Sequence, residues 1–389
     1  MKDEISPLFT DILLVWEEEK LLGGTFFALD GCKLPSNASK RWSGKISDIK
    51  RKREKIEQKV KRLLSEQIEA DKNDSDGLTE LSNREKQIEK LQKQAERIEK
   101  WLKENDAKIG TTGKEIQSNI TDNESAKMKT SHGTIQGYNG QTLVDKKHQV
   151  IVHAEAFGRG QDHDHVSPML DGAKENVQKI GKPTDYFKDK ILTADTNYHS
   201  HRNLEKCQQE ELDAYIPDIY FRKRDPRFST QTRGQVKKEK KFVLEDFTYN
   251  EARDQYVCPS GKILRLNIKR HIKDRNIYRR YMADAEDCKK CSLKSRCFYR
   301  KNTKRRSLDV PIGTEETNLS KAMLEKVDSE KGRKIYPQRI AIVEPIYANI
   351  RTHKRLDRFT LRGKIKVNIQ WILYCMVHNI EKVINYGMA

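Results

Sequence analysis

Residues 25–34 read TFFALDGCKL. This run follows Gly23 and Gly24, is apolar and aromatic from Phe26 to Leu29, and then carries an acid, Asp30. A run of this kind between turn-forming residues predicts a buried β-strand, which we expect to end at Asp30. A second strand-like run, KILTAD at 190–195, also ends on an acid, Asp195. If the two strands lie side by side and parallel, both carboxylates come to one edge of a sheet.

The runs around these two strands alternate between helix and strand periodicity. The predicted elements are a helix at 6–21, a strand hairpin at 137–145 and 148–157, a helix at 164–179, a helix at 201–210 capped by Ser200, and a strand at 214–217. Residues 108–131 are rich in Thr, Ser and Asn, which favours an exposed linker. This order predicts an α/β fold and resembles that of a ribonuclease H-like mixed sheet flanked by helices.

An inserted segment interrupts that order at residues 44–107. Its apolar residues recur every three or four positions among Lys, Arg, Glu and Gln, as in the seam of a coiled coil. One arm carries Ile49, Ile56, Val60, Leu63 and Leu64, and the other carries Ile88, Leu91, Ala95, Ile98 and Leu102. The polar stretch DKNDSDG at 71–77 separates the arms, so we predict an antiparallel helical hairpin with a structural or partner-binding role.

The chain is strongly basic, and its positive charge is clustered. It has 389 residues and a formal net charge of +19. Residues 265–306 hold sixteen Lys and Arg against four acidic residues, and residues 222–241 hold nine against two. Such clusters suit a polyphosphate partner, because each neutralised phosphate releases condensed counterions. A solvated face without a partner is the alternative interpretation.

Neither a secretion signal nor a membrane span is evident in the sequence. The start, MKDEISPLF, lacks a basic stretch followed by an apolar run, and about 18 uninterrupted apolar residues occur nowhere. The closing run at 367–384, VNIQWILYCMVHNIEKVI, is apolar nearly all round and predicts a core helix, with His378 as a core histidine. We expect a cytoplasmic protein without membrane contact.

Acids at a sheet edge could serve phosphodiester chemistry. Two divalent ions about 4 Å apart can activate one oxygen and stabilise another, and hard ions such as Mg²⁺ prefer carboxylates. Asp30 and Asp195 are two candidate ligands, and Glu344 is the third. Asp145 also ends a strand-like run, but it precedes a hairpin turn and ranks behind Asp30. Taken singly, an Asp after a strand is more often a turn former or a helix cap.

The C-terminal third carries a more specific motif. The stretch YPQRIAIVEPIYANIR at 336–351 puts Tyr336, Arg339, Glu344 and Arg351 in one helical segment. It resembles the Tyr-Arg-Glu-Lys signature of insertion-sequence transposases with an Asp-Asp-Glu (DDE) triad, and more closely the IS1182-like version ending V-E-P-x-(F/Y). Five further segments resemble the same group: FALDGCKLPSNASK (27–40), GYNGQTLVDKKHQVIV (137–152), LTADTNY (192–198), YVCPSGKIL (256–264) and RLDRFTLRGKIKVNIQW (355–371).

This resemblance implies a transposase that cuts double-stranded DNA at the ends of an insertion sequence and joins them to target DNA, as a homodimer on the DNA. It implies Asp30, Asp195 and Glu344 as ligands of two Mg²⁺ or Mn²⁺ ions. It also implies that Tyr336, Arg339 and Arg351 contact DNA phosphates. Two features depart from the broad signature: Arg351 replaces the usual Lys, and Arg339 lies one residue further from Glu344.

The resemblance also bears on the start of the chain. Family members generally begin with a further helical region of about a hundred residues that is thought to recognise the element ends. Residues 1–24 resemble only its last helix, so we predict a residual N-terminal helix in a truncated or decayed copy. End recognition could then be lost even with an intact triad.

Four of the seven cysteines, Cys258, Cys288, Cys291 and Cys297, fall within one forty-residue basic stretch. A Cys-x2-Cys pair with two outlying thiols can surround a tetrahedral Zn²⁺, so residues 251–310 are predicted to form a basic, Cys-rich insertion with one structural zinc. Partly buried thiols without metal are the alternative, because a second Cys-x2-Cys pair is absent. The other cysteines, Cys32, Cys207 and Cys375, are predicted to be packing residues.

Aromatic and basic residues interleave within that insertion, in NIYRRYMAD (276–284) and CFYRKNTKRR (297–306). This pattern indicates either a DNA-backbone track or ordinary amphipathic packing. The catalytic core is predicted to comprise residues 25–43, 108–250 and 311–389. Two other functions also fit the sequence. One is a zinc-stabilised DNA-binding protein whose carboxylates need not converge, and the other is a ribonuclease H-like nuclease that hydrolyses without joining.

Overall fold

A computed structural model describes residues 2–73, 78–110, 113–131, 133–228, 241–273, 276–300, 302–312 and 316–387. The chain forms two compact units. We call Met1–Ile216 together with Lys331–Ala389 the core unit, and Pro217–Glu330 the Cys-rich unit. Within the described ranges, no helix is both long and apolar enough to cross a membrane.

The chain contains both helices and strands, with a mixed sheet, which confirms the predicted α/β class. The strands are β1 (Phe26–Pro35), β2 (Ser43–Gly44), β3 (Ser118–Asn119), β4 (Ala126–Thr130), β5 (Gly133–Asp145), β6 (Val150–Phe157), β7 (Ile191–Ala194), β8 (Asp213–Tyr215), β9 (Thr248–Asn250), β10 (Gln255–Val257), β11 (Ile263–Lys273), β12 (Asn276–Ala283) and β13 (Ser307–Pro311). The helices are α1 (Lys2–Glu18), α2 (Ile46–Asn73), α3 (Leu78–Glu104), α4 (Val166–Lys179), α5 (His201–Gln209), α6 (Phe221–Arg224), α7 (Ala285–Lys289), α8 (Lys294–Cys297), α9 (Glu316–Asp328), α10 (Glu330–Ile335), α11 (Gln338–Ala348) and α12 (Lys364–Tyr386). A π-helical turn, Asn349–His353, follows α11.

The core unit is built on a six-stranded mixed sheet with the order β4-β5-β1-β7-β8, in which β6 pairs with a second part of β5. β5 runs antiparallel to β1, β4 and β6, whereas β7 is parallel to β1 and β8 is parallel to β7. Its thirteen residues give β5 room for β4 and β6 one after the other on the edge opposite β1. The predicted hairpin is therefore present as β5 and β6.

The strand β1 continues past Asp30. Residues 27–35 pair with residues 145–137 of β5, whereas the parallel pairing with β7 stops at Leu29 and Ala194. The prediction that the strand ends at Asp30 is wrong, because β5 supports the backbone of β1 for five further residues. Asp195, in contrast, directly follows the last residue of β7, as predicted.

Helices cover this sheet. α12 packs along β6 and against α1, and α4 packs on β6. His378 of α12 is buried between the Asn349 side chain and the Gln149 carbonyl, and burial lowers its pKa to about 4, as expected of a core histidine. α12 is the predicted core helix, since Val367, Trp371 and Cys375 are buried, but one side of it remains exposed. The exposed side chains include Leu373, Val377 and Ile384.

The predicted exposed linker at 108–131 is wrong for its second half, from Ser118 onward. These residues contribute β3 and β4, and several of their polar side chains are buried. Asn119 donates to the Ser39 carbonyl at 2.9 Å and to Ser43 Oγ at 2.8 Å, while Asp122 accepts a hydrogen bond from buried Tyr138 at 2.9 Å. The composition was misleading because these polar groups bond to the protein instead of to water.

The inserted segment forms the predicted helical hairpin, α2 and α3. Early α2 packs on late α3, where Ile49 meets Ile98, and late α2 packs on early α3, where Val60 meets Ile88. Contacts in this order require antiparallel helices. Leu64 is 40% exposed and lies outside the seam, unlike predicted. Residues 74–77 of the predicted turn lie outside the described residues.

The Cys-rich unit contains a five-stranded antiparallel sheet with the order β13-β12-β11-β10-β9. Its small buried core consists of Phe242, Phe247, Leu264, Tyr281, Ala283 and Leu308. The basic run at 222–241 is described only in part, because residues 229–240 lie outside the described residues. In its described part, Arg224 is bound by Asp218 at 2.6 Å and by Asp328 at 2.5 Å.

Candidate active site and thiol cluster

Asp30 and Asp195 are neighbours at one edge of the six-stranded sheet. The parallel register pairs Leu29 with Ala194, so the next residue on each strand is an aspartate. Burial raises the pKa of Asp30 to about 6, and the negative charge of Asp195 contributes to this rise. We call these two carboxylates the acid edge.

Asp195 also has a local structural role. Its carboxylate accepts hydrogen bonds from the Asn197 backbone N–H at 2.8 Å and from the Asn197 side chain at 3.1 Å, and it caps the turn Thr196–Tyr198. Burial raises the pKa of Asp195, while the Asn197 N–H and the charge of Arg339 oppose the rise. Capping, the alternative interpretation of an acid after a strand, therefore applies here alongside the position at the acid edge.

Arg339 neutralises the acid edge. Its guanidinium donates to the Asp30 carboxylate, and both side chains are mostly buried. Its positive charge lowers the pKa of Asp30 against the effect of burial and also interacts with Asp195. Its Nε atom is buried without a hydrogen-bond partner among the described residues. In this structure Arg339 is therefore paired with the Asp30 carboxylate, whereas the motif predicts that it contacts a DNA phosphate.

Glu344 is exposed on α11. No hydrogen bond or ion pair joins its carboxylate to any other described residue. Tyr347 lies three residues later, on the neighbouring part of the helix surface, and packs beside Asp30, because its hydroxyl lies 2.9 Å from Thr142 Oγ1, and Thr142 pairs with Asp30. Glu344 is near enough to Cys32, two residues after Asp30, to raise the pKa of that thiol. It therefore lies in the neighbourhood of β1, and its convergence with the two aspartates stays a prediction.

The other two motif residues follow the same stretch of β1. Arg351, in the π-helical turn, donates a hydrogen bond to the thiol of Cys32. Burial nevertheless raises the pKa of Cys32 to about 11. Tyr336 lies just before α11, where its phenol acts electrostatically on Arg339. The beginning of the motif, at Arg339, thus lies beside Asp30, and its end, at Arg351, lies beside Cys32.

Asp145, the alternative candidate for the first acid of the triad, binds backbone N–H groups away from Asp195. Its buried carboxylate accepts backbone hydrogen bonds from Gly23 at 3.2 Å, Gly24 at 2.6 Å and Lys147 at 2.9 Å. Burial raises its pKa against these three donors. Asp145 therefore holds the chain entering β1 and the turn leaving β5, which favours Asp30 as the first acid.

A further acid, Asp162, lies buried beside the acid edge and was missed by sequence reasoning. Its Oδ1 accepts hydrogen bonds from Asn139 at 2.6 Å and Gln141 at 2.8 Å, and the His165 ring lies 3.6 Å away. Burial raises the pKa of Asp162, but the nearby His165 ring and the hydrogen bond from Asn139 bring it below its ordinary value. The polar run QDHDH at 161–165, between β6 and α4, was the available signal.

This buried network ties the two catalytic candidates together. Tyr198, in the turn capped by Asp195, donates to the Gln141 side chain, and Gln141 pairs with Gly31, the residue after Asp30. A Cβ atom at Gly31 would stand only 2.0 Å from Gln141 Nε2 and 2.6 Å from Asn139 Oδ1. Glycine is therefore required for the amides to pack against β1, and one network positions both aspartates.

In the Cys-rich unit, four thiols line one small cavity of about 30 Å³. They are Cys258, Cys288, Cys291 and Cys297, and all are partly buried and free. Burial raises the pKa of both Cys288 and Cys297. Without a metal these two are neutral thiols. The three cysteines predicted to be packing residues, Cys32, Cys207 and Cys375, are buried and form no disulfide bond.

Neither cluster forms a finished metal site. Across the described ranges, no three His, Cys, Asp or Glu side chains are grouped so that they could hold a metal ion. For the acid edge this agrees with the exposed position of Glu344. Metal binding by the carboxylates or the thiols therefore stays a prediction.

Part of the expected DNA track is used for packing. Tyr281 is buried and donates to Asp254 at 2.6 Å, and Arg280 is paired with Asp309 at 2.6 Å. Arg306 donates to the carbonyls of Cys297 and Phe242. For these residues the amphipathic alternative holds, and DNA contact stays a prediction for exposed neighbours such as Tyr299.

Residues 257–384 match the model of a family described as Transposase DDE domain. The match spans 128 of the 389 residues and includes the thiol cluster, Glu344 and Arg351. It supports a DDE transposase, an enzyme that acts on DNA and belongs to a class that generally uses divalent metal ions. No curated protein and no solved structure matches the chain significantly.

Proposed function

We propose that this protein is an insertion-sequence transposase of the IS1182-like group with a ribonuclease H-like catalytic core. The main supporting observation is the adjacency of Asp30 and Asp195 on the parallel strands β1 and β7. The order β6-β5-β1-β7-β8, with only β5 reversed, supports the ribonuclease H-like class. The match at 257–384 supports the transposase chemistry independently.

Asp30, Asp195 and Glu344 would hold two Mg²⁺ or Mn²⁺ ions. Their carboxylate oxygens are the donors that such hard ions prefer. The acid edge also fits a cation, because two partly buried carboxylates lie together and Arg339 now balances them. Bound ions of this kind supply activation of the attacking oxygen and stabilisation of the leaving oxygen in phosphodiester exchange.

The residues around the acid edge would orient the DNA. Arg339 and Arg351 flank the stretch of β1 from Asp30 to Cys32, and their guanidinium groups can each bind a phosphate through two hydrogen bonds. Arg339 would exchange Asp30 for a phosphate, since one guanidinium cannot serve both fully. Tyr336 would add a phenol donor beside Arg339.

The remaining parts of the proposal concern partners and organisation. The substrate would be double-stranded DNA at element ends and in the target, bound by a homodimer in the cytoplasm. Residues 25–43, 108–250 and 311–389 would form the catalytic core, with the hairpin at 44–107 and the Cys-rich insertion at 251–310 as additions. The compact Cys-rich unit is larger than that insertion, since it begins at Pro217 and ends at Glu330.

The test is cleavage of DNA that carries the terminal sequences of the element, with Mg²⁺ or Mn²⁺. Asp195→Asn and Glu344→Gln should each lower cleavage about a thousandfold, because loss of a metal ligand removes several kcal/mol of transition-state stabilisation. Asp189→Asn is the matched control, since this exposed acid precedes the opposite end of β7. Circular dichroism and the melting temperature should be unchanged in all three.

The outcomes separate the alternatives. Cutting by Asp195→Asn and Glu344→Gln at the rate of the parent protein would overturn the triad. Binding of DNA without metal-dependent cutting by the parent would favour the non-catalytic protein. Cutting without transfer of the 3′ ends to a target would favour the nuclease.

A further inference from the structure

We propose that Cys258, Cys288, Cys291 and Cys297 bind one Zn²⁺ ion, which cross-links two parts of the Cys-rich unit that are distant in sequence. Cys258 directly follows β10, whereas the other three belong to the α7 and α8 segment. The site lies outside the acid edge and uses sulfur where the acid edge uses oxygen. The proposal therefore stands independently of the proposed transposase activity.

The first argument is convergence. The four thiols come from positions up to 39 residues apart, yet all line the same cavity. Electrostatic interaction links Cys297 with each of the other three, and it links Cys288 with Cys258 and Cys291. Apolar side chains such as Phe242, Leu264 and Phe298 complete the wall. A water-poor pocket lined by thiols suits a closed structural zinc site better than a catalytic site with an open coordination position.

The second argument is that backbone donors already point at the sulfurs. The N–H of Lys262 donates to Cys258 Sγ at 3.3 Å, across the turn Cys258–Gly261. The N–H of Arg306 lies near enough to the sulfur of Cys288 to lower the pKa of that thiol. Hydrogen bonds of this kind favour the thiolate, which is the form that binds metal.

The third argument is charge compensation. Four thiolates around Zn²⁺ carry a net charge of about −2, which must be balanced when the site is partly buried. Arg306 lies on the cavity wall, where its charge acts on Cys297 and its guanidinium is fixed by the carbonyls of Cys297 and Phe242. Lys262 and Lys294 line the same cavity, together with Asp287, which is paired with Lys262 at 3.3 Å. The surroundings are thus prepared for a negative cluster.

The thiols are not yet gathered around one point, so binding must draw them inward from the cavity wall. The unit has a reason to need this cross-link, because the apolar cluster on its sheet has six buried side chains among the described residues. Small cores are commonly supplemented by a structural metal. Zinc binding would tie the turn after β10 to α7 and α8 across that core.

The experiment uses the full-length chain. After loading with Zn²⁺ and desalting, elemental analysis should give one zinc per chain. Co²⁺ in place of Zn²⁺ should give the thiolate-to-cobalt charge-transfer band and the intense visible bands of a tetrahedral sulfur site. Alkylation should modify four fewer thiols in the loaded protein than after chelation. Cys291→Ala should abolish tight binding, whereas the control Cys207→Ala, altered at a buried thiol in α5, should keep it.

Several results would overturn the zinc site. These are a parent protein that retains no zinc, a cobalt spectrum without thiolate bands, or two disulfides among the four cysteines after purification under reducing conditions. Equal loss of zinc in Cys207→Ala and Cys291→Ala would count against these ligands as well. Misfolding of Cys291→Ala alone does not decide the matter, because the cobalt spectrum and the alkylation count are measured on the parent protein.

Discussion

The acid edge and the thiol cluster are two candidate metal sites that the chain maintains in different ways. At the acid edge, two carboxylates are balanced by Arg339 and held by a buried polar network around Asp162. In the thiol cluster, burial raises the pKa of Cys288 and Cys297, while Cys258 Sγ is held by the Lys262 N–H at 3.3 Å and by Ser260 Oγ at 3.0 Å. The difference is that the two aspartates are already held side by side by the protein, whereas the thiols line a common cavity and would be gathered around one point only by a bound metal.

The largest expected effect tests whether the acid edge is organised by Asp162. Asp162→Ala should lower the free energy of unfolding by about 3 kcal/mol, because buried amides of Asn139 and Gln141 lose their acceptor. Urea unfolding measures this. The control is Asp164→Ala in the same loop, whose exposed pairing with Arg202 at 3.7 Å should contribute less than about 0.5 kcal/mol. Equal stability of the two variants would show that the network does not organise the acid edge.

The next effect probes the space beside Asp30. Gly31→Ala should cost about 2 kcal/mol, since its Cβ would collide with the Gln141 and Asn139 amides. If the clash is the cause, the double variant Gly31→Ala with Gln141→Ala should be more stable than the sum of the single losses, as a double-mutant cycle would show. Strict additivity would point instead to the backbone.

A third effect separates the balancing cation from the metal. Arg339→Gln should strengthen Mn²⁺ binding roughly thirtyfold, because a charged hydrogen bond of about 2 kcal/mol to Asp30 no longer competes. Mn²⁺ titration followed by electron paramagnetic resonance measures the affinity. Arg358→Gln, altered at a guanidinium bound to the Ser36 carbonyl, should leave it unchanged. Weaker Mn²⁺ binding in Arg339→Gln would show that Arg339 assists the metal.

The smallest effect is the pH dependence of Mn²⁺ binding. The pKa of Asp30 is raised to about 6, so protonation of this ligand competes with the metal below that pH. Affinity should rise from pH 5 to pH 7 by about tenfold and then level off, since roughly nine-tenths of Asp30 is protonated at pH 5. The Asp30→Asn variant should bind weakly without this step. A flat profile in the parent protein would remove Asp30 from the ligand set.

The same pKa has the opposite consequence for stability without metal. A raised acid pKa means that the folded state retains a proton that the unfolded state has already lost, so stability falls as pH rises from about 4 to about 6. Compared with Asp30→Asn, the parent protein should lose stability in this window. Urea unfolding at both pH values gives the sign directly.

The strands carrying the two aspartates could be predicted because each is a short apolar run whose identity is set by local pattern. The end of β1 could not be predicted, because its extension past Asp30 depends on pairing with β5, which lies more than a hundred residues away in the sequence. The helical hairpin was predictable for the same local reason, from the spacing of its apolar residues.

The buried polar groups were not predictable from pattern. Asp162 and Asn119 look like loop residues in the sequence, and only tertiary hydrogen bonds make them interior. The position of Glu344 was also beyond the sequence, because its spacing in the motif does not determine which side of α11 faces the sheet. The local pattern of apolar residues was thus enough to locate Asp30 and Asp195 at the ends of apolar runs. The side chains that surround them are set by contacts between distant parts of the chain.

The attachment of the helical hairpin has a consequence for protein engineering. The chain leaves for α2 at Ser43-Gly44 and returns after α3 at Ser118-Asn119, and these two short strands are hydrogen-bonded to each other. Entry and exit are therefore adjacent, so a tight loop could replace residues 45–117 without stretching the sheet. Insertions or fluorescent reporters of many lengths could be exchanged at this junction for the same reason.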